Sequence, residues 1–171
     1  METGRPAAHS QSARSRHCAR SLNEDQRQRI HRCSVERVFE IFCDLDQAPT
    51  NVSGIISLEI LEGPAQLAVG TKWRETRTFA GKEATEVMWV TAYEEDVSYT
   101  VDARSHGMHY QSVYLFMPSH GGTRLDYRFT MTPLTFGARL MSVVGLLFLG
   151  ATKKALTKDH HELKLACEAQ A

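Results

Sequence analysis

Hydrophobic positions along this chain change period twice. In "SVERVFEIFCD" (residues 34–44), Val35, Val38, Phe39 and Phe42 recur at helical spacing, with Ser34 placed to cap the amino end and Glu36 in the first turn. That pattern predicts a short amphipathic helix. A weak strand over "RQRIHRC" precedes it, and residues 46–52 read as a turn or a second small helix around Pro49. The period then falls to two, predicting strands at 55–61, 72–79, 83–92, 97–103, 110–117 and 125–131. "AG", "HG" and "SHGG" between the later strands are turn chemistry. After Pro133 the helical period returns, and residues 134–168 read as one long helix with weak points at Gly145 and Gly150. Its segment "LMSVVGLLFLGA" is apolar on all sides for about a dozen residues, short of the ~20 that cross a bilayer. A helix of that kind packs one face on a sheet and leaves the other for a cavity, a second subunit or a membrane surface.

Length and composition narrow the picture. A chain of 171 residues fits one domain plus a tail. Residues 1–25, rich in Arg, Ser and Ala and without apolar periodicity, are expected to form a disordered tail. No apolar run of the secretory kind occurs in it, and its Arg-rich character suits a solvated extension better than a transit peptide. Hydrophobic residues at 42% and charged residues at 23% match ordinary globular usage, which disfavours both a disordered chain and an integral membrane protein. A formal net charge of zero argues against nucleic-acid binding. Cys18, Cys33, Cys43 and Cys167 are scattered without any CxxC pair, so a reducing, cytoplasmic setting is expected. His106 with His109, and His160 with His161, lack the further ligands of a zinc site and read as loop or helix-surface residues. No metal and no cofactor are expected.

A short helix, a meander of antiparallel strands and a long closing helix describe an α+β helix-grip arrangement, in which a curved sheet wraps the C-terminal helix. The residues "SVERVFEIFCDLDQAPT", "EILEG", "VGTKWRET", "YQSVYLF", "GGTRLDYRF" and "LTKDHHELKLACE" stand in the order and spacing of that arrangement. Over residues 26–168 the chain resembles the START-like (SRPBCC, Bet v 1-like) superfamily, and within it the polyketide cyclase/dehydrase and lipid-transport group. It departs from the common pattern in a polar first strand, where Ile30 is the one large aliphatic residue, and in the lack of a Trp after Pro49. The resemblance implies a deep apolar cavity between sheet and helix that binds lipids, polyketides or other hydrophobic small molecules, sometimes with catalysis and often without.

Hairpin register decides which side chains face such a cavity. With His106-Gly107 as a two-residue turn, Ala103 pairs with Tyr110, Val101 with Ser112, Tyr99 with Tyr114 and Val97 with Phe116, giving one apolar and aromatic face joined by Leu125, Tyr127, Phe129 and Met131. With Ala80-Gly81 as the turn, Arg77 pairs with Ala84, Glu75 with Glu86 and Trp73 with Met88. The Trp73 face then points inward and carries Glu75, Arg77 and Glu86 with it, the guanidinium lying between the two carboxylates. A three-residue loop would turn Glu83 inward instead of Glu86. The candidate ligand-binding residues are thus Trp73, Glu75, Arg77, Glu86, Met88, Tyr99, Tyr110, Ser112, Tyr114, Tyr127 and Phe129. Ser112 lacks a His-acid partner and is not read as a nucleophile.

Three functions fit these residues. The first is binding of a hydrophobic small molecule, with apolar walls for affinity and the Arg77 cluster orienting a polar end. The second is cyclase, aromatase or dehydratase catalysis, in which Glu75 or Glu86 removes a proton next to a carbonyl and Arg77 stabilises the oxyanion. The third is a homodimer or peripheral membrane contact through residues 146–149, with no ligand and no membrane span.

Overall fold

Strict alternation of side chains, sharpened by mirror-image hairpin turns, builds one antiparallel sheet of seven strands. The computed structural model describes residues 22–31, 33–135, 137 and 142–169, with side chains at 30, 33–135, 137 and 150–169. The strands are β1 (Leu22–His31), β2 (Ile55–Glu62), β3 (Lys72–Phe79), β4 (Lys82–Glu94), β5 (Ser98–Ser105), β6 (Met108–Ser119) and β7 (Gly122–Pro133). They lie in the order β1-β7-β6-β5-β4-β3-β2, so the meander from β2 to β7 is closed at one side by the first strand. β1 pairs with β7 from Leu22↔Met131 to His31↔Gly122. It thereby begins before the expected residue 27 and takes in residues 22–25 of the expected tail; residues 1–21 lie outside the described residues.

Two tight turns set the register. Ala80 and Gly81 have φ of 51° and 78°, and His106 and Gly107 have φ of 50° and 74°. Positive φ at both central positions is the two-residue hairpin geometry whose twist matches that of paired strands. It gives Glu75↔Glu86 and Trp73↔Met88 in one hairpin, and Tyr99↔Tyr114 and Ala103↔Tyr110 in the other. The three-residue alternative is therefore not adopted. Glu83 pairs with Thr78 and is exposed.

Helix α1 (Val35–Cys43) starts at Ser34, whose Oγ accepts from the Arg37 amide at 3.4 Å. Its buried face drives Phe39 and Phe42 edge-on into Phe116, at ring separations of 5.2 and 5.5 Å. Helix α2 (Ala48–Asn51) is a single turn with Pro49 in its first positions, where the missing N–H costs nothing. Helix α3 (Ser142–Ala169) runs continuously through Gly145 and Gly150 and packs against α1, β1 and β3. It starts later than the expected residue 134. Pro133 ends β7 and the Leu134 amide donates to Gly107 O at 2.8 Å, so Leu134 is tied back to the β5–β6 turn and is not helical. Among the described residues no helix is long and apolar enough to cross a membrane. The side chains of residues 146–149, on which the dimer or membrane-contact expectation rests, lie outside those described.

Candidate functional site

Between the concave face of the sheet, α1, α2 and α3 lies a cavity of about 900 Å³. Period-two alternation puts Trp73, Glu75 and Arg77 of β3 on its wall, followed by Glu86 and Met88 of β4, Tyr99 of β5, Tyr110, Ser112 and Tyr114 of β6, and Phe129 of β7. Tyr127 does not line it. That side chain stands one layer back, its hydroxyl sharing a 3.1 Å hydrogen bond with Ser112 Oγ. Tyr99 and Tyr114 stack at 4.4 Å, and burial pushes both phenols well above their ordinary pKa, so they remain neutral hydrogen-bonding groups.

The charge in the β3–β4 hairpin divides between two faces. Outside, Arg74 meets Glu59, Lys72 meets Glu62 at 3.0 Å and Thr76 meets Thr85 at 2.9 Å. Inside, the Glu75 side chain is 8% exposed and its Oε1 lies 3.4 Å from Arg77 Nη1. Burial raises the Glu75 pKa; Arg77 opposes that rise, Asp159 adds to it, and the Trp73 indole N–H, facing the carboxylate without good hydrogen-bond geometry, lowers it slightly. Arg77 makes its tight contact elsewhere, with Nη2 2.5 Å from Asp159 Oδ2 on α3. Burial works against the guanidinium charge, but Asp159 and Glu75 outweigh it and hold Arg77 protonated. The Asp159 pKa is raised by burial against the pull of Arg77.

The expected bridge from Arg77 to both strand carboxylates is therefore replaced. Among the described residues Arg77 pairs with Glu75 and Asp159, whereas Glu86 accepts a hydrogen bond from Ser105 Oγ at 2.8 Å. Closure of α3 over the sheet supplies a carboxylate from a different element, and the helical anion reaches the guanidinium better than the cross-strand one.

A short loop covers this cluster. Ser53 gives both its amide and its hydroxyl to Glu162 of α3, at 2.9 and 2.7 Å, and Lys158 Nζ donates to Ser53 Oγ at 2.8 Å. The next residue, Gly54, lies so close that a Cβ there would be 3.1 Å from Arg77 Nη2 and 3.4 Å from Asp159 Oδ1. A glycine is what lets the backbone approach the ion pair.

His160 is the second contribution of α3 that the sequence reading missed. It is 3% exposed, with its ring 4.6 Å from Tyr127 and 5.7 Å from Tyr114, both edge to face. Burial pushes its pKa down to about 4, so the imidazole is neutral at pH 7. Its Nε2 has no hydrogen-bond partner among the described residues. His161 next to it is exposed, as expected of a helix-surface histidine. A signal for the difference exists: Leu156, His160, Leu163 and Cys167 recur at helical spacing, so the stripe that faces the sheet passes through His160 and beside Asp159. His109 belongs to the outer face, with Nε2 2.9 Å from Asp102 Oδ2. Among the described residues no group of three or more His, Cys, Asp or Glu is arranged to hold a metal ion.

A sheet gripping a long helix around a mostly apolar cavity defines the helix-grip class. Residues 25–168 match the family model described as polyketide cyclase / dehydrase and lipid transport, and the chain belongs to that family. The fold is shared with solved structures at low identity. The crystal structure of Ara h 8.0201 aligns at a TM-score of 0.64 with 14% identity, covering 87% of this chain and 99% of that one. The di-domain ARO/CYC StfQ from the steffimycin biosynthetic pathway aligns at 0.72 with 11% identity, covering 88% of this chain and 52% of that one, so this chain spans about half of the di-domain protein. TTHA0849 from Thermus thermophilus aligns at 0.60 with 17% identity, covering 85% of this chain and 98% of that one. At these identities the likeness concerns the fold alone. A comparison with curated protein sequences found no match.

Proposed function

We propose that this protein binds a hydrophobic small molecule, such as a lipid, polyketide or aromatic compound, in the cavity between sheet and α3. The observation that carries the reading is the cavity itself: about 900 Å³, walled mainly by apolar and aromatic side chains, with polar groups gathered at Glu75, Arg77, Asp159 and His160. Ligand sites have this composition, because apolar area supplies affinity and a few placed polar groups supply orientation. Family membership supports the same reading. The test is titration with the neutral fluorophore Nile red, together with native mass spectrometry of protein purified without detergent. Saturable one-to-one fluorescence enhancement, or a co-purifying small molecule, is expected. No saturable binding in either assay would overturn the proposal.

A second reading, catalysis of the cyclase, aromatase or dehydratase type, is favoured by one feature of the ion-pair geometry. Arg77 engages Asp159 at 2.5 Å and Glu75 only at 3.4 Å, and burial dominates the Glu75 carboxyl, raising its pKa. A carboxylate made more basic inside an apolar pocket, beside a cation, suits proton abstraction next to a carbonyl. If Glu75→Gln retained full turnover of every accepted substrate, Glu75 would have no such role. Glu86 is the weaker candidate, being half-buried and held by Ser105.

A further inference from the structure

Apart from the ion pair beneath α3, the cavity has a second polar place nearer its opening. Among the described lining residues only His106, Thr135 and Gly137 are exposed, so the cavity opens between the β5–β6 turn and the chain that follows β7. One step inward, Glu86 of β4 stands half-buried on the wall. Its Oε1 accepts from Ser105 Oγ at 2.8 Å, and that hydroxyl lies 3.2 Å from Nδ1 of His106.

Charge is unbalanced at this place. Glu86 is directly opposite Glu75 across the β3–β4 pair, where like charges repel. Arg77, the one Arg or Lys among the described lining residues, stands 3.4 Å from Glu75 and turns its tight contact to Asp159 at 2.5 Å. No cation pairs with Glu86 among the described residues, and Ser105 gives it a neutral donor at one oxygen. The Asp102 carboxyl takes no part, because it lies on the outer face with His109.

The neighbouring wall is aromatic. Burial raises the Tyr110 phenol pKa, a hydrogen bond with Ser105 lowers it and the Glu86 carboxylate raises it again, which sets Tyr110 beside that charge. Its ring stacks with Phe129 at 6.2 Å. A carboxylate next to aromatic faces suits an ammonium, which pairs with the anion on one side and rests on ring electrons on the other. A ligand carboxylate or phosphate would instead meet two opposed acids. A metal ion needs more oxygen or nitrogen ligands than one carboxylate, and no group of three or more His, Cys, Asp or Glu is gathered among the described residues.

Resting on the ligand-binding reading above, we infer that Glu86 is a specificity-determining residue and that the ligand is a hydrophobic amine, its apolar body inside the cavity and its ammonium at the mouth against Glu86 and Tyr110. Anionic amphiphiles are discriminated against at the same place.

The experiment uses the full chain at pH 7 and three probes that share one ring system: naphthalene, 2-naphthylmethylamine, which is protonated at that pH, and 2-naphthoate. Each competes with Nile red in displacement titrations. The amine is expected to compete about ten-fold more strongly than naphthalene, and the carboxylate less strongly than either, as one half-buried ion pair would give. Raising sodium chloride from about 50 mM to about 500 mM should narrow the lead of the amine. In Glu86→Gln the ratio of amine to naphthalene affinity should fall by about ten-fold. An amine no stronger than naphthalene, or a carboxylate that matches it, overturns the inference and leaves the ligand-binding proposal standing. A lead that survives in Glu86→Gln overturns the assignment to Glu86. Should that variant fail to fold, the unaltered protein decides, since a lead indifferent to salt would mean that no ion pair forms. If neither Nile red nor any probe binds, both proposals fall.

Discussion

His160 and Arg77 are buried for different reasons, and pH separates them. The His160 pKa is lowered from 6.5 to about 4 by burial, so below about pH 6.5 the unfolded chain takes up a proton that the folded chain refuses. The unfolded state then binds more protons, and the His160 contribution to stability is lost as pH falls from about 6.5 toward 4. Glu75 and Asp159 act in the opposite sense, since their folded pKa values are raised and acid favours the folded protonated form. A single pH profile would mix the two, so the variant must be compared with the parent. His160→Phe, measured by urea denaturation near pH 7 and near pH 4.5, should gain about 2 to 3 kcal/mol relative to the parent on going to the lower pH. An unchanged difference would mean that the imidazole is not held neutral. Arg77 acts through its partners. Arg77→Met leaves Glu75 and Asp159 buried near each other without the guanidinium that pairs with both, and should cost about 3 kcal/mol near pH 7. That loss should shrink in acid, as the two carboxyls take up protons. Arg77→Met with Asp159→Asn should recover part of it, and strict additivity in the double-mutant cycle would deny the coupling.

At the scale of elements, the β3–β4 hairpin was legible and α3 was only half so. "HG" pointed to a two-residue turn, whereas "AG" allowed a two- or a three-residue loop; with the two-residue turn adopted, parity with Trp73 puts Glu75, Arg77 and Glu86 on the cavity side. The apolar stripe through Leu156, Leu163 and Cys167 marks which side of "KDHHE" (residues 158–162) meets the sheet, but no local pattern shows that the cation turns to Asp159, because that pairing joins residues 82 positions apart. The start of α3 was misread for a similar reason. Leu134 suits a helix by itself, and it is a bond to the Gly107 carbonyl, distant in sequence, that ties its amide back to the β5–β6 turn. The turns themselves carry a testable strain. Ala80 is exposed and left-handed at φ 51°, a conformation that L-residues other than Asn and Asp rarely adopt. Ala80→Asn should therefore stabilise the protein by about 0.5 to 1 kcal/mol without altering the register. A loss of stability would show that the hairpin is held by something other than its turn. On the opposite edge of the site, Gly54→Ala would bring a methyl to 3.1 Å from Arg77 Nη2. It should weaken both the Ser53–Glu162 latch and ligand binding, seen as faster amide exchange at Ser53 together with weaker Nile red binding.

The whole molecule combines a packed half with a hollow one. Around α1, Phe39, Phe42, Tyr99 and Phe116 close edge to face with no exposed member, and fully buried Ile30, Val38 and Leu125 fill the space behind them. Toward the middle of α3 the same sheet face opens into the cavity, where side chains have neighbours on one side only, and this half gives up dispersion contacts that a solid core would make. Stability in such a molecule should depend on occupancy. A ligand that binds the folded form alone, at a free concentration one hundred times its Kd, adds about 2.7 kcal/mol, which for a chain of this size corresponds to a rise in Tm of roughly 5 to 10 °C. Ala103, buried on β5 and lining the cavity, offers the converse experiment. Ala103→Phe puts a ring where the ligand's apolar part would lie. Because it enters open space, it should change the unliganded stability by less than about 1 kcal/mol, in contrast to the loss of about 1 to 3 kcal/mol that overpacking a filled core brings. The same variant should lose the ligand-dependent Tm shift. A large destabilisation, or a shift that survives intact, would place the binding volume elsewhere in the molecule and leave the grip of sheet on helix with only a structural role.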